Sequence, residues 1–401
     1  MFKPPSGDMN RRDLLLTLGA AVGVGLGSTA RVTSQEAPAP RGLDAIADAL
    51  PRTTAVIRTT AAQGGAGQFY LSRDGKVLAD VAWGAARGGA AYTPATLVSW
   101  ASAVKPTTCV CLMKLWERGR LDIDDRVTKY IPEFGANGKG DVRIRHLLTH
   151  TAHLGGYGGP QDLPARFEDS INAIARAPRQ PYPAGGSRTL PPLGSGSGYN
   201  PAGIWIIAEI CRRLYDQPPQ DVLRKEVYEP CGMRDSWCGM PLARYRAYKA
   251  EGRFASNYLD SEEQVVKCQP AGGGIGPTRE LARFYEMMVN RGTIGGRRIL
   301  TPQTVEAMTT PKSDLGYMGL WGFGFNVAIP GGVDAPKVGR RGQTLQNRYG
   351  THSSGRTFGH AGASGMQAFG DPEYGIATVF IGRAPIADTI YEDLGLAGQR
   401  I

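Results

Sequence analysis

Alternating apolar and polar positions mark two strand-like runs near the N-terminal end of the chain. Residues 68–73 and 76–83 flank Asp74-Gly75, and Asp-Gly is a typical two-residue hairpin turn. Two further apolar runs near the C-terminus, residues 366–370 and 375–381, have the length and composition of strands. The pattern therefore predicts a β-hairpin at one end of the chain and more strands at the other.

Between these ends the apolar residues recur at helical spacing. A helix-like run begins at Ser102 and is followed by Gly119, a good residue for a helix C-terminus. Helical spacing is also found in residues 143–150, 202–214 and 281–289, whereas residues 155–198 are rich in Gly and Pro. Strands at both ends with helices between them predict one α/β body assembled from the two termini, with a helical insert at about residues 141–270.

The first thirty residues have the pattern of a targeting segment. Asn10-Arg11-Arg12-Asp13-Leu14-Leu15 is a twin-arginine pattern, an apolar run continues to Leu26, and Ser28-Thr29-Ala30 offers small residues for cleavage. We interpret residues 1–30 as a twin-arginine signal peptide, 31–41 as a linker and 42–401 as the functional domain. The alternative is a poorly ordered or amphipathic N-terminal helix. The run is too short for a stable membrane anchor, so we expect a periplasmic or extracellular protein.

Composition fits an enzyme better than a nucleic-acid-binding protein. The chain is 41% hydrophobic and 20% charged, which suffices for a large core. Its formal net charge is +10, but the basic residues are dispersed. A local excess occurs only in a loop-like stretch containing Lys337, Arg340, Arg341, Arg348 and Arg356. We therefore expect a cationic enzyme with no nucleic-acid partner.

Cysteine and histidine spacings give no clear metal site. No C-x-x-C pair occurs, and Cys231 and Cys238 are the one local candidate pair, so buried free thiols are the default expectation. His146, His150 and His153 stand at i, i+4 and i+7, a spacing that could present ligands on one helix face. Because no H-E-x-x-H motif or carboxylate set accompanies them, we expect neither a metal nor another cofactor.

Ser102 is the one serine of the chain with a lysine three residues later. Three residues are almost one helical turn, so the two side chains share a face. A hydroxyl beside an amine is a nucleophile beside a base. A free lysine has a pKa near 10.4, so Lys105 would need burial or nearby positive charge to act as a base at neutral pH.

Several sequence blocks in a fixed order extend this pair. They are Ser102-Ala-Val-Lys105-Pro, Gly119-Arg-Leu-Asp-Ile-Asp-Asp-Arg-Val, Ile144-Arg-His-Leu-Leu-Thr-His150-Thr, Ala271-Gly-Gly-Gly-Ile-Gly-Pro, Gly359-His-Ala-Gly362 and Asp371-Pro-Glu-Tyr-Gly-Ile. Over residues 50–385 the chain resembles the serine β-lactamase-related hydrolases, which include class C β-lactamases, class C-type D-Ala-D-Ala peptidases and family VIII esterases. The resemblance implies an α/β fold of the β-lactamase/transpeptidase type, with an antiparallel sheet flanked by helices and a helical subdomain.

The resemblance also implies roles for individual residues. Ser102 would form an acyl-enzyme with Lys105 as its base, and the backbone amides of Ser102 and Ala363 would form the oxyanion hole. A Tyr-x-Asn motif supplies a catalytic tyrosine in this family. The ungapped match places it at Tyr199, although Pro201 then replaces the asparagine. Sliding the motif to use Asn200 leaves Gly198 at the tyrosine position, and Tyr157 or Tyr182 are the remaining alternatives.

The third family block bears on the substrate. His360 stands where β-lactamases of this type carry a lysine, and His360 and Gly362 are the candidate substrate-binding residues. A histidine that is mostly neutral at pH 7 offers a hydrogen bond in place of a fixed charge. The alternative is that His360 simply packs against a strand.

Together with Pro201, the histidine favours ester over β-lactam chemistry. The sequence thus predicts an exported serine hydrolase acting on an ester or a small amide. A D-Ala-D-Ala carboxypeptidase or β-lactamase acting on peptidoglycan-like substrates, and a non-catalytic ligand-binding homologue, are the alternatives.

Overall fold

A computed structural model describes most of the chain. It describes residues 42–86, 89–155, 166–180, 189–196, 198–255, 260–313, 319–329, 349–381 and 386–398. The predicted signal peptide and linker lie outside the described residues, as do Tyr157 and Tyr182. Most of the predicted basic stretch, from Lys337 to Arg348, lies outside them too.

The described strands form one large sheet and two small ones. The large sheet has the order β2-β1-β12-β11-β10-β9-β8, and every neighbouring pair in it is antiparallel. A second sheet has the order β3-β5-β4, and β6 pairs with β7. The strands are β1 Gly67–Arg73, β2 Lys76–Trp83, β3 Val98–Ala101, β4 Trp237–Cys238, β5 Gly274–Gly276, β6 Thr293–Ile294, β7 Arg297–Arg298, β8 Leu320–Trp321, β9 Asn326–Val327, β10 Phe358–Ala361, β11 Met366–Asp371 and β12 Ile376–Ile381.

The predicted hairpin joins β1 to β2. Asp74 and Gly75 have φ angles of 51° and 75°, the left-handed conformation that a tight turn between twisted strands requires. On its other edge β1 pairs with β12, for example Phe69 with Phe380. The two ends of the chain therefore meet in the middle of one sheet, as the sequence predicts.

Helices cover both faces of this sheet and form a separate region beside it. They are α1 Pro51–Ala62, α2 Lys105–Glu117, α3 Ile144–Leu148, α4 Phe167–Arg176, α5 Ala202–Tyr215, α6 Pro219–Leu223, α7 Leu242–Ala250, α8 Glu262–Val266, α9 Thr278–Val289, α10 Pro302–Thr309 and α11 Ile386–Asp393. Shorter 3-10 segments include Ser102–Val104, and a π-helical turn spans Arg224–Tyr228. Within the described ranges, every helix is too short or too polar to cross a membrane.

Two hydrophobic cores separate the layers. On one face of the sheet, Ile57 of α1 and Ile390 of α11 pack with Phe69 and Phe380. On the other face, Phe284 and its neighbours on α9 pack with strand residues and with the buried helix α2. Burial of these large side chains stabilises the three-layer arrangement by about 2 kcal/mol per side chain. The predicted fold class, an antiparallel sheet flanked by helices with a helical region beside it, is confirmed.

Two predicted helices differ from the expectation at the site. The run from Ser102 opens as a 3-10 turn and becomes α-helical at Lys105. The run at 143–150 ends at Leu148, because His150 has a φ of 56° that no helix accommodates. Both departures bear on the functional side chains.

Candidate active site

The serine lies on a sharp turn between strand β3 and helix α2. The preceding residue, Ala101, has φ 45° and ψ −130°, a conformation that non-glycine residues rarely adopt. The turn lifts Ser102 out of the strand and starts the helix that carries Lys105. Gly274 on β5 permits this approach, because a Cβ there would lie 2.7 Å from the Cβ of Val104.

Ser102 and Lys105 are in direct contact. Lys105 Nζ lies 2.7 Å from Ser102 Oγ and donates a second hydrogen bond, 2.6 Å long, to the carbonyl oxygen of Ala271. The lysine is fully buried, with 0% exposure. Burial lowers the pKa of Lys105 to about 7, with the nearby Cys109 thiol acting weakly in the opposite direction. A neutral Lys105 can therefore donate to Ala271 and accept the Ser102 proton near neutral pH.

A cavity of about 170 Å³ opens beside this pair. Apolar and glycine backbone groups make up much of its wall, and the polar amides of Gln264 and Gln269 complete it. Gln269 Nε2 donates to Gln264 Oε1 over 2.8 Å. The lining residues are Ser99, Ala101, Ser102, Lys105, Pro201, Gln264, Val265, Gln269, Ala271, Gly272, Gly273, Gly274, Ile275 and Ala363.

The end of strand β10 brings Ala363 to this cavity. Gly362 packs on the end of β3, and a Cβ at Gly362 would lie only 2.1 Å from the carbonyl oxygen of Trp100. Its N–H donates to Met366 O over 2.8 Å, which fixes the turn into β11. The requirement for glycine at 362 is thus steric, because only a bare backbone lets Ala363 lie beside the Ser102 turn.

Tyr199 lies on the other side of Lys105. The Lys105 Nζ atom is 5.1 Å from the centre of the tyrosine ring. The ring stacks on Trp321 with a centroid separation of 5.5 Å. Its centroid also lies 4.8 Å from that of the His150 ring and 5.9 Å from that of the His360 ring. Four distant segments of the chain therefore meet around one phenol.

His150 holds the tyrosine segment through two hydrogen bonds. Its carbonyl oxygen accepts from the N–H of Gly198 at 2.9 Å, and its Nδ1 lies 3.1 Å from the carbonyl oxygen of Asn200. Burial, reinforced by the positive charge of Lys105, lowers the pKa of His150 to about 3. The imidazole is therefore neutral at working pH, and its Nδ1 faces both the carbonyl oxygen and the N–H of Asn200, at 3.1 and 3.4 Å, so the tautomer decides which of the two it bonds. The left-handed φ of 56° at His150 allows its backbone and side chain to face the same segment.

The two residues after Tyr199 are occupied locally. Asn200 is 6% exposed; its Oδ1 accepts from the Ala202 N–H at 2.7 Å, and its Nδ2 donates to Leu154 O. The Asn200 amide is therefore engaged with the backbone just before helix α5, and it does not line the described cavity. Pro201 lines the cavity but lacks an N–H donor.

His360 and Gly362 lie on β10 and at its end, and neither lines the described cavity. His360 is 4% exposed, its Nδ1 is 2.7 Å from Ala361 O, and its ring lies 5.5 Å from that of Trp321. The structure therefore brings Ser102, Lys105, Tyr199 and Ala363 together directly. His360 and Gly362 join them through Tyr199 and through the β3–β10 contact.

The other candidate clusters do not converge. His146 Nδ1 accepts from Arg143 N–H, and His153 Nε2 lies 2.9 Å from Ser195 O, so the three histidines face different partners. Among the described residues, no group of three His, Cys, Asp or Glu side chains could hold a metal ion. All six cysteines are reduced, and Cys238 lies beside Cys268 rather than pairing with Cys231.

Sequence reasoning missed several groups at the site. The Ala271 block is visible in the sequence as a glycine run, but nothing there indicates that Ala271 O binds the lysine. Gln264 and Gln269 carry no motif, and Trp321 lies in an aromatic-rich stretch typical of any core. Only their packing identifies them.

A three-layer fold that holds a serine against a buried lysine defines a class of serine hydrolases. The Beta-lactamase family model matches residues 54–384, and the chain belongs to that family. It is 25% identical to Esterase/beta-lactamase LipL of Mycobacterium tuberculosis (strain ATCC 25618 / H37Rv), over 90% of this chain and 88% of that protein.

Two solved structures share the fold. A penicillin-binding protein homologue from Caulobacter crescentus has a TM-score of 0.68 and 23% identity, covering 86% of this chain and 98% of the other. A family VIII carboxylesterase has a TM-score of 0.65 and 20% identity, covering 87% and 96%. The resemblance expected from the sequence is thus confirmed, and the chain is an enzyme of the β-lactamase-related serine hydrolase type.

Proposed function

We propose that this enzyme is an esterase that cleaves small esters through an acyl-enzyme on Ser102. The observation that carries the proposal is the 2.7 Å contact between Ser102 Oγ and the Nζ of a fully buried Lys105. With a pKa of about 7, Lys105 is an effective base at neutral pH. Its second bond to Ala271 O keeps the amine aimed at the hydroxyl.

Acylation follows from this geometry. Lys105 takes the Ser102 proton as Oγ attacks the ester carbonyl, and the N–H groups of Ser102 and Ala363 stabilise the developing oxyanion. Tyr199 passes a proton to the departing alkoxide. Water then attacks the acyl-enzyme and gives its proton to the Tyr199 phenolate, while the Lys105 ammonium returns a proton to Ser102 Oγ as it leaves.

The described cavity favours a small, uncharged acyl group. Its volume of about 170 Å³ is below the 300 Å³ or more typical of drug-sized ligands. Lys105 is the one cationic side chain among its described lining residues, and Lys105 is engaged with Ser102 and Ala271. No second charge is therefore available there to pair with the carboxylate of a β-lactam or a peptide.

The relatives point to the same chemistry. One is named an esterase/beta-lactamase, and one structural neighbour is a family VIII carboxylesterase. Another relative, 23% identical over 80% of this chain, is named a putative D-alanyl-D-alanine carboxypeptidase of Escherichia coli (strain K12), so a D-Ala-D-Ala peptidase is the second candidate. Pro201 and the occupied Asn200 weigh against it, because amide substrates lose a side-chain hydrogen-bonding partner. We also propose that the enzyme is exported by the twin-arginine route, on the strength of Arg11 and Arg12.

Intact-mass spectrometry after incubation with p-nitrophenyl butyrate tests the proposal. We expect a butyryl adduct on the wild-type enzyme and on Ser353→Ala, a control serine outside the described cavity. Ser102→Ala should carry no adduct and keep its fold, since this substitution at a helix start costs about 1 kcal/mol. An adduct on Ser102→Ala would overturn the nucleophile assignment.

Parallel assays with a chromogenic cephalosporin and a D-Ala-D-Ala peptide should give kcat/KM values lower by orders of magnitude than that for p-nitrophenyl butyrate. Equal efficiencies would establish the second candidate.

A further inference from the structure

Two cysteines lie together beside the loop that holds Lys105. Cys238 on β4 is 2% exposed, and Cys268 is half-buried just after helix α8. Their Sγ atoms are 3.9 Å apart. A disulfide requires about 2.05 Å, so the sulfurs must close by about 2 Å, a movement within reach of a rotation about Cα–Cβ.

The residue after Cys238 packs directly on Cys268. Gly239 has a φ of 88°, and a Cβ there would lie 3.1 Å from both the Cα and the Cβ of Cys268. The segment after Cys238 therefore packs directly on Cys268. A glycine at 239 permits this contact, which a larger side chain would push apart.

The cysteine pair lies beside the loop 269–273, so a bridge between the two cysteines would affect the candidate active site. Cys238 is paired in register with Gly274, at the end of the loop that follows Cys268. In the thiol form its S–H also donates to Gln269 O over 3.3 Å, a bond that oxidation would replace with the bridge to Cys268. A bridge would therefore anchor the loop 269–273 at both of its ends to one residue. That loop supplies Gln269 to the cavity and Ala271 O to Lys105.

We propose that Cys238 and Cys268 form a disulfide that tethers the active-site loop. The oxidant is a small disulfide such as oxidised glutathione. The Cys268 thiolate attacks one of its sulfurs and releases one glutathione, and Cys238 then attacks Cys268 Sγ and releases the second. Two thiol protons leave, two glutathione thiols form, and the electrons balance.

The reaction should be slow at neutral pH and faster in alkali. The pKa of Cys268 is raised well above its ordinary value by its hydrogen bond with Cys238 and by burial. Little thiolate is therefore present at pH 7. The pH dependence of the oxidation rate therefore gives a second measurement on this cysteine pair, independent of esterase activity.

Oxidation of the reduced, full-length enzyme with excess oxidised glutathione at pH 9 tests the proposal. We expect a mass loss of about 2 Da, a cross-linked Cys238–Cys268 peptide in a non-reducing digest, and a Tm higher by roughly 5 °C. Cys231→Ser, a control at the cysteine nearest in sequence to Cys238, should oxidise in the same way. Cys268→Ser, with Cys268→Ala as a second variant, should lose both the mass change and the Tm shift.

Three results would overturn the proposal. They are a cross-link joining any other pair, a protein carrying only glutathione adducts, and a mapped Cys238–Cys268 bridge that leaves the Tm unchanged. Because these readouts are independent of turnover, failure of the esterase proposal would leave them unaffected.

Discussion

The two sides of the site are built in different ways. The side that carries the proposed nucleophile is local: Ser102 and Lys105 are one turn apart, and one strand-to-helix turn sets their 2.7 Å contact. The tyrosine side is assembled from four distant segments that contribute His150, Tyr199, Trp321 and His360. A local pair tolerates change elsewhere in the molecule, whereas an assembled cluster depends on every segment that forms it.

The largest expected effect comes from breaking the local side. Lys105→Ala should lower kcat/KM for p-nitrophenyl butyrate by at least about a hundredfold, because the general base is lost. Lys105→Arg should be nearly as damaging, since a guanidinium stays protonated. Steady-state assays across pH 6–9 give the comparison, with Lys114→Arg, a lysine bound to Glu226, as control. An arginine variant at wild-type rate would remove Lys105 as the base.

The effect of Tyr199→Phe should depend on the leaving group of the ester, which distinguishes the tyrosine side of the site from the Ser102–Lys105 side. An alkoxide must receive a proton as it leaves, whereas p-nitrophenolate leaves unaided, so loss of the phenol should matter mainly for alkyl esters. We expect roughly a hundredfold loss of kcat/KM on ethyl butyrate and less than about tenfold on p-nitrophenyl butyrate. Equal losses on both esters would assign Tyr199 a packing role and return the question to other tyrosines.

The pH dependence of esterase activity tests the ionisation of Lys105 separately from that of His150. Its pKa is lowered to about 7, and the neutral form is the active one. Activity should therefore rise with pH through about 7, and fall roughly tenfold per unit below it. His150, with a pKa of about 3, remains neutral throughout and should leave no mark above pH 5. A rate that is flat from pH 5 to 8 would contradict the lowered lysine pKa.

The smallest expected effect tests the clamp around Tyr199. His150→Leu removes the bond to the Asn200 backbone and should lower kcat by about tenfold on ethyl butyrate, with KM nearly unchanged. His150→Asn should recover part of the loss, because asparagine tolerates positive φ and offers an N–H donor. As with Tyr199→Phe, p-nitrophenyl butyrate should be less affected. Equal loss on both esters would reduce His150 to a role in stability.

The sequence predicted the local features well and the assembled ones poorly. The hairpin at Asp74-Gly75 and the Ser102–Lys105 contact each depend on neighbours within a few residues, so spacing and turn chemistry suffice. The helix at 143–150 was predicted too long, because the left-handed turn at His150 is stabilised by bonds to Gly198 and Asn200, far along the chain.

Contacts between residues far apart in the sequence could not be predicted, for the same reason. Cys231 and Cys238 are close in sequence, yet Cys238 meets Cys268, because β4 joins β5 beside that residue. Likewise, nothing in the sequence shows that Ala271 O binds Lys105. Such contacts follow from tertiary packing, which periodicity does not encode.

The pairing of Phe69 with Phe380 has a consequence for the folding of the chain during its synthesis. Strand β12 lies between β1 and β11 in the large sheet, so a segment far along the chain from β1 fills the place beside it. The growing chain therefore carries the β1–β2 hairpin with one edge open until Ile376–Ile381 is available. A chain that stopped before this strand would keep Ser102, Lys105 and Ala363 but lose the strand that joins the β1–β2 hairpin to β11.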